Sequence, residues 1–260
     1  MAHRVAGAVL LWALACSGAH PAYGQARAAA PPSAKASAPI DLTGNWVSIV
    51  TEDWRYRMVT PAKGDYASVP LTLEGKRVAD TWDPAKDEAA GEACRSYGAA
   101  GLMRIPGRLR ISWQDENTLK VETDAGTQTR LFHFSGAEAP PATPPSWQGY
   151  STAVWETIRT APGMRPAGNA AATPAFGSLK VVTTAMRPGY LRKNGVPYSG
   201  NALLTEYWDV HKEGNGDQWL VVTSALRDPQ YLQDPFLTSP NFLREPNGSK
   251  WDPTPCSANW

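Results

Sequence analysis

RLRISWQDENTLKVETDAGTQTRLFHF, residues 108–134, is the stretch that decides the fold. It holds three β-forming runs: Arg108–Trp113, Thr118–Thr123 and Thr127–Phe134. Asp115-Glu116-Asn117 and Asp124-Ala125-Gly126 separate them, and both are short turn-forming clusters of the kind that joins antiparallel neighbours. Reading toward the C-terminus, a proline-rich loop (EAPPATPPSWQG, 138–149) leads to a strand at Tyr150–Ile158, and a second Pro/Gly/Ala loop runs to Phe176. Gly177–Met186, Ala202–His211 and Gln218–Leu226 then read as strands, the last two joined at Gly214-Asn215-Gly216-Asp217. From Asp228 the chain is rich in proline and reads as a tail laid over the domain.

Toward the N-terminus, Asp41–Thr51 reads as the first strand. Trp54-Arg55-Tyr56-Arg57-Met58 alternates aromatic and basic residues, the period of a strand with two different faces. Leu71, Gly75, Val78 and Trp82 recur at helical spacing and predict a helix over 72–82. Asp83-Pro84 ends it and caps a second short helix, because Asp suits the N-cap and Pro the first helical position. Eight principal strands in up-and-down order, with a helical insertion after the first, predict a mainly β, eight-stranded antiparallel barrel. Such a barrel either fills itself or holds one small ligand. A two-sheet sandwich is the competing architecture.

The first 24 residues read as a secretory signal: a basic start at His3 and Arg4, an apolar run from Val5 to Ala15, and a small-x-small site at Ala22-Tyr23-Gly24. The run is too short to span a bilayer. A rival reading places Cys16 in a lipoprotein cleavage site, which gives the mature protein a lipid anchor. No later stretch has transmembrane character, so a periplasmic or secreted location is expected. Residues 25–40 are Ala/Pro/Ser-rich and read as a disordered linker, and 41–260 form the folded domain.

Export constrains the chemistry. Loss of residues 1–24 leaves 24 basic and 24 acidic residues, a neutral balance that argues against a general nucleic-acid binder. Two cysteines remain, Cys94 and Cys256, and an even count outside the cytoplasm predicts that they pair. Two histidines remain, His133 and His211, so a three-His zinc site is excluded and no metal or other cofactor is called for. Nucleophile elbows, phosphate-binding loops, CxxC pairs and dinucleotide fingerprints are all absent from the sequence.

Gly44-Asn45-Trp46 resembles the Gly-x-Trp signature of the lipocalins and their calycin relatives, and the chain is similar to secreted bacterial proteins of that type. The resemblance implies that Trp46 packs across the barrel floor, and that an Arg near the end of the last strand lies on it. Arg227 ends the last strand of the predicted meander and is the residue expected there. Gly44, Trp46 and Arg227 are structural residues in such a fold and carry no ligand information.

The ligand expected in the barrel is a small apolar or aromatic molecule. The expected binding residues are a rim of Trp54, Arg55, Tyr56 and Arg57, where rings stack on a planar group and arginines hold an anionic one, together with Trp155 and Trp208. The alternative is a cofactor-independent lyase, isomerase or hydratase on the same barrel. Tyr207, Asp209 and His211 share one strand face and Glu206 and Trp208 the other. An Asp two residues before a His can orient an imidazole for acid–base work, with Glu156, Arg130 and Tyr207 completing the set.

Overall fold

The computed structural model describes residues 1, 3, 31–134, 140, 143–157 and 177–259. The expected signal at 1–24, with Cys16 of the rival lipoprotein reading, lies outside the described residues, Met1 and His3 excepted. The fold is carried by the unit Pro32–Trp260. Among the described residues no helix is long and apolar enough to cross a membrane.

The strands in chain order are β1 (Gly44–Ile49), β2 (Arg108–Asp115), β3 (Thr118–Thr123), β4 (Gln128–His133), β5 (Tyr150–Thr157), β6 (Gly177–Thr184), β7 (Gly189–Arg192), β8 (Val196–Tyr198), β9 (Leu203–Lys212), β10 (Gln218–Arg227), β11 (Phe236–Thr238) and β12 (Asn241–Glu245). Nine of them close a barrel in the order β10-β12-β1-β2-β3-β4-β5-β6-β9 and back to β10. The expected barrel was eight-stranded and wholly antiparallel; the barrel found is nine-stranded and mixed. The ninth strand comes from the proline-rich tail, where the five residues of β12 fit between Pro240 and Pro246 and pair with both β1 and β10. β4 and β5 run parallel through Phe132↔Ser151 and His133↔Thr152, because the long 134–149 connection returns the chain to the end from which β4 started.

Period-2 burial fills the barrel. β6 buries Leu179, Val181 and Thr183, and β9 buries Leu204, Glu206 and Trp208. Opposite them stand Trp46, Ile111, Val121, Phe132, Leu220, Val222 and Phe242, all buried. Phe132 meets Trp208 edge-on with ring centroids 5.3 Å apart, a favoured aromatic geometry.

One end of the barrel is closed by short helices: α1 (Trp54–Met58), α2 (Leu73–Ala79), α3 (Pro84–Ala89) and α4 (Ala99–Leu102), together with the β7–β8 hairpin. α2 and α3 match the sequence expectation, and the Asp83 carboxylate accepts from the Ala85 and Lys86 amides as an N-cap. α1 corrects it, since Trp54–Met58 is one turn of helix and not a strand. Helical turning buries Arg57 while Trp54 (68% exposed) and Met58 (60% exposed), four residues apart, share an outer face. The Cys94–Cys256 disulfide ties this region to the C-terminal tail across 162 residues, with Cα atoms 5.1 Å apart.

Residues 33–40, the second half of the expected disordered linker, are docked. Ala34 is buried, its amide donates to Asn117 Oδ1 (2.9 Å), and its carbonyl accepts from Trp155 Nε1 (2.8 Å). Small side chains let this segment lie close to the aromatic cluster of Trp113, Phe134 and Trp155, whose centroids are 5.2–6.5 Å apart.

Candidate functional site

The end of the barrel away from the helices is left partly unzipped. β6 and β9 pair from Thr183↔Leu204 to Leu179↔Trp208 and no further. Beyond that point β6 stays paired with β5 as far as Gly177↔Thr157, and β9 with β10 as far as Lys212↔Gln218. The two pairs of strands splay apart, and a cleft of about 1050 Å³ opens between them.

Its wall is set by which face each residue occupies. Val210, Lys212, Gln218 and Arg244 continue the inward-facing rows of β9, β10 and β12, whereas Glu156, Ser178, Asp209 and His211 belong to the outward rows. The splayed strands let both sets line one cleft, with Pro39, Ile40 and Asp41 of the docked N-terminal segment forming the remaining side.

Arg244 anchors the inner wall. It donates to Gln218 Oε1 (2.8 Å) and to the Thr43 carbonyl (2.9 Å), stands 3.8 Å from Asp41 Oδ2, and lies over the Trp46 ring at 5.4 Å. Trp46 is fully buried and donates from Nε1 to the Leu42 carbonyl (3.0 Å). Gly44 has φ +127°, and a Cβ there would sit 3.1 Å from Arg244 Nη2, so the turn and the stacked guanidinium both require glycine. The arginine over Trp46 is therefore Arg244 and not Arg227, which is exposed. The reason is the ninth strand: β12, not β10, lies next to β1.

Three acids (Asp41, Glu156, Asp209) face three bases (His211, Lys212, Arg244) around the cleft, with Pro39, Ile40 and Val210 as an apolar wall. Glu156 is already engaged with Lys180 at 3.1 Å. Burial pushes the Asp209 carboxyl above the ordinary carboxylate range, with the neighbouring His211 opposing the shift.

Of the five residues considered for acid–base catalysis, Glu156, Asp209 and His211 line the cleft, and Arg130 and Tyr207 are not among its lining residues. Arg130 lies inside the filled barrel, where it forms a bidentate ion pair with Glu206 and donates to Thr183 Oγ1 (3.2 Å). Glu156, Tyr207, Asp209 and His211 belong to outward rows, and Tyr207 carries Lys180 Nζ over its ring at 5.7 Å. Strand alternation is what sets Arg130 apart: its inward row lies behind the barrel wall from the outward rows of the other four.

The expected ligand-binding residues are likewise placed elsewhere. Trp54, Arg55, Tyr56 and Arg57 lie on α1 at the helix-covered end, where Tyr56 is stacked under Arg192 (4.0 Å) and Arg55 pairs with Asp65. Trp208 fills the barrel interior, and Trp155 is covered by Trp113, Phe134 and Ala34. Thr183 is fully buried and serves the Arg130 network. Sequence reading missed Lys212, Gln218 and Arg244; the only signal for Arg244 is its place in a five-residue run between two prolines.

No protein-family model matches the chain, and neither the curated proteins nor the solved structures compared with it include a match.

Proposed function

We propose that this chain is an exported, lipocalin-like barrel protein that binds a small molecule in the cleft at the unzipped end, above the filled interior and not within it. The observation that carries the reading is the pairing of a packed barrel centre with a cleft of about 1050 Å³ beside it, a volume in the range of small-ligand sites. The Cys94–Cys256 disulfide supports an oxidising compartment. Arg244 lying over Trp46, next to Gly44, supports the lipocalin-like reading of the Gly-x-Trp motif.

The lining sharpens the ligand class. An apolar wall faces charged groups of both signs, which suits an apolar or aromatic body bearing one ionic or strongly polar group, held by Lys212 or His211. Thermal shift and tryptophan fluorescence with neutral aromatics, aromatic carboxylates, aromatic amines and terpenoids test this. The expected result is saturable binding by charged aromatic members, abolished when Val210→Trp fills the cleft. Failure of every class to bind, or binding untouched by Val210→Trp, overturns the proposal.

A further inference from the structure

At the opposite, helix-covered end, three arginines from three separate elements meet in the interior: Arg57 from α1, Arg104 from the turn after α4, and Arg192 from β7. Each is at least 95% buried. Arginine heads are normally left in water, and a buried one is normally paired.

Two carboxylates answer them. Asp53 Oδ2 accepts from Arg104 Nη2 at 3.2 Å and stands 4.0 Å from Arg192 Nη2, and Glu52 Oε1 stands 4.0 Å from Arg104 Nη1. Asp53 takes this place at the cost of a left-handed backbone, φ 48°, uncommon for a non-glycine residue. The nearby Asp65 is paired with Arg55. Three positive groups thus face two negative ones, leaving one buried positive charge unmatched.

The hydrogen bonds leave the same remainder. Arg57 donates to the Arg104 carbonyl (2.8 Å) and Ser48 Oγ (3.1 Å), and Arg192 to the Ala67 carbonyl (2.7 Å). Among the described residues, buried Arg57 Nη1, Arg104 Nη1, and Arg192 Nε and Nη2 have no hydrogen-bond partner, and the one unpartnered acceptor beside them is Glu52 Oε1, which leaves four donors against one acceptor. A cavity of about 20 Å³ lies among these arginines, bounded also by Ser96 and Lys193. That is room for a single water-sized centre, too little for phosphate or sulfate. Burial and mutual repulsion from Arg104 hold both Arg57 and Arg192 down to about 10, the direction a shortage of negative charge gives.

We propose that the cavity among Arg57, Arg104 and Arg192 is a binding site for one monoatomic anion of chloride or bromide size, built into the helix-covered end of the barrel. Such an ion matches the unmet charge, the unmet donors and the volume together. It joins α1, the α4 turn and the β7–β8 hairpin through one centre.

The test uses the intact protein in matched ionic strength of sodium chloride, sodium bromide or sodium gluconate, gluconate being too large for the cavity. The expected result is a saturable rise in Tm with either halide, reaching ~5–10 °C over gluconate at a hundredfold excess over Kd. Arg104→Met is expected to lose that halide-specific rise. Should Arg104→Met fail to fold, anomalous scattering from wild-type crystals grown in bromide decides, with a peak among Arg57 Nη1, Arg104 Nη1 and Arg192 Nη2 expected. Equal Tm in gluconate and chloride, or density that fits water with no bromide signal, overturns the proposal.

Discussion

Glu206→Gln tests most directly how the barrel interior is held. Arg130 and Glu206 have side chains 0% and 1% exposed, and they meet across the interior from β4 and β9, which β5 and β6 separate in the sheet. Two guanidinium–carboxylate hydrogen bonds join them, and Arg130 Nη2 also reaches Thr183 Oγ1, which in turn bonds Ser151 Oγ at 2.8 Å. Replacing the carboxylate by an amide leaves a guanidinium that stays charged while fully buried. Breaking such a buried pair costs about 3–5 kcal/mol. With an m-value near 3 kcal/mol/M, the upper end of the usual range for urea, the unfolding midpoint falls by about 1–2 M. The double replacement Arg130→Met with Glu206→Leu removes both charges and is expected to recover most of that loss, because desolvating the pair already offsets much of its attraction. Equilibrium urea unfolding of wild type, Glu206→Gln and the double variant measures both effects. A Glu206→Gln loss below about 1 kcal/mol, or a double variant no more stable than the single, refutes the reasoning.

Replacing both Cys94 and Cys256 by Ser removes a cross-link over 162 residues; a loss of about 2–5 kcal/mol is expected in denaturant melts, and an unchanged midpoint would exclude a structural role for the bridge. Gly44→Ala forces a side chain into φ +127° against Arg244, and a loss of about 1–3 kcal/mol is expected; a change within about 0.5 kcal/mol would show that the turn relaxes freely. Folded Asp209 keeps its proton to higher pH than the unfolded chain does. Its contribution to stability is therefore full in acid and is lost as pH rises through the carboxylate range. Asp209→Asn should gain on wild type as pH rises above the ordinary carboxylate value of about 4, and parallel stability–pH curves would count against a desolvated Asp209. Trp208→Ala opens the packed interior beneath the cleft at a cost of about 3–5 kcal/mol. Added indole should restore part of the Tm of that variant and leave wild type unmoved; equal effects on both would mean that the interior is not packed as described.

The order of strands from β1 to β6, and of β9 and β10, was legible because each is bounded by turn chemistry that acts locally. Thr118–Thr123 lies between two polar turns and falls where its sequence places it. Trp54–Met58 was misread because five residues cannot separate a period of 2 from a period of 3.6. The choice there is made by the distant acceptors of Arg57, the Arg104 carbonyl and Ser48. β12 escaped notice because prolines on both sides read as tail, although proline only forbids pairing at its own position. Misplacing that strand misplaced the arginine over Trp46, since Arg227 and Arg244 are told apart only by which strand lies beside β1.

The candidate site was half legible for a related reason. Alternation along β9 correctly put Tyr207, Asp209 and His211 on one face and Glu206 and Trp208 on the other. What alternation cannot tell is which face looks into the barrel, or where pairing between β6 and β9 stops. Closure decides both: the face with Leu204, Glu206 and Trp208 completes the interior, and that same packing fills the barrel centre with buried side chains. Ending the β6–β9 ladder at Leu179↔Trp208 then brings outward-facing Asp209 and Ser178 beside inward-facing Val210 and Lys212. The cleft on this fold is therefore a consequence of incomplete zipping, and extending the ladder by one pair, Ser178 to Asp209, is the structural change that would narrow it.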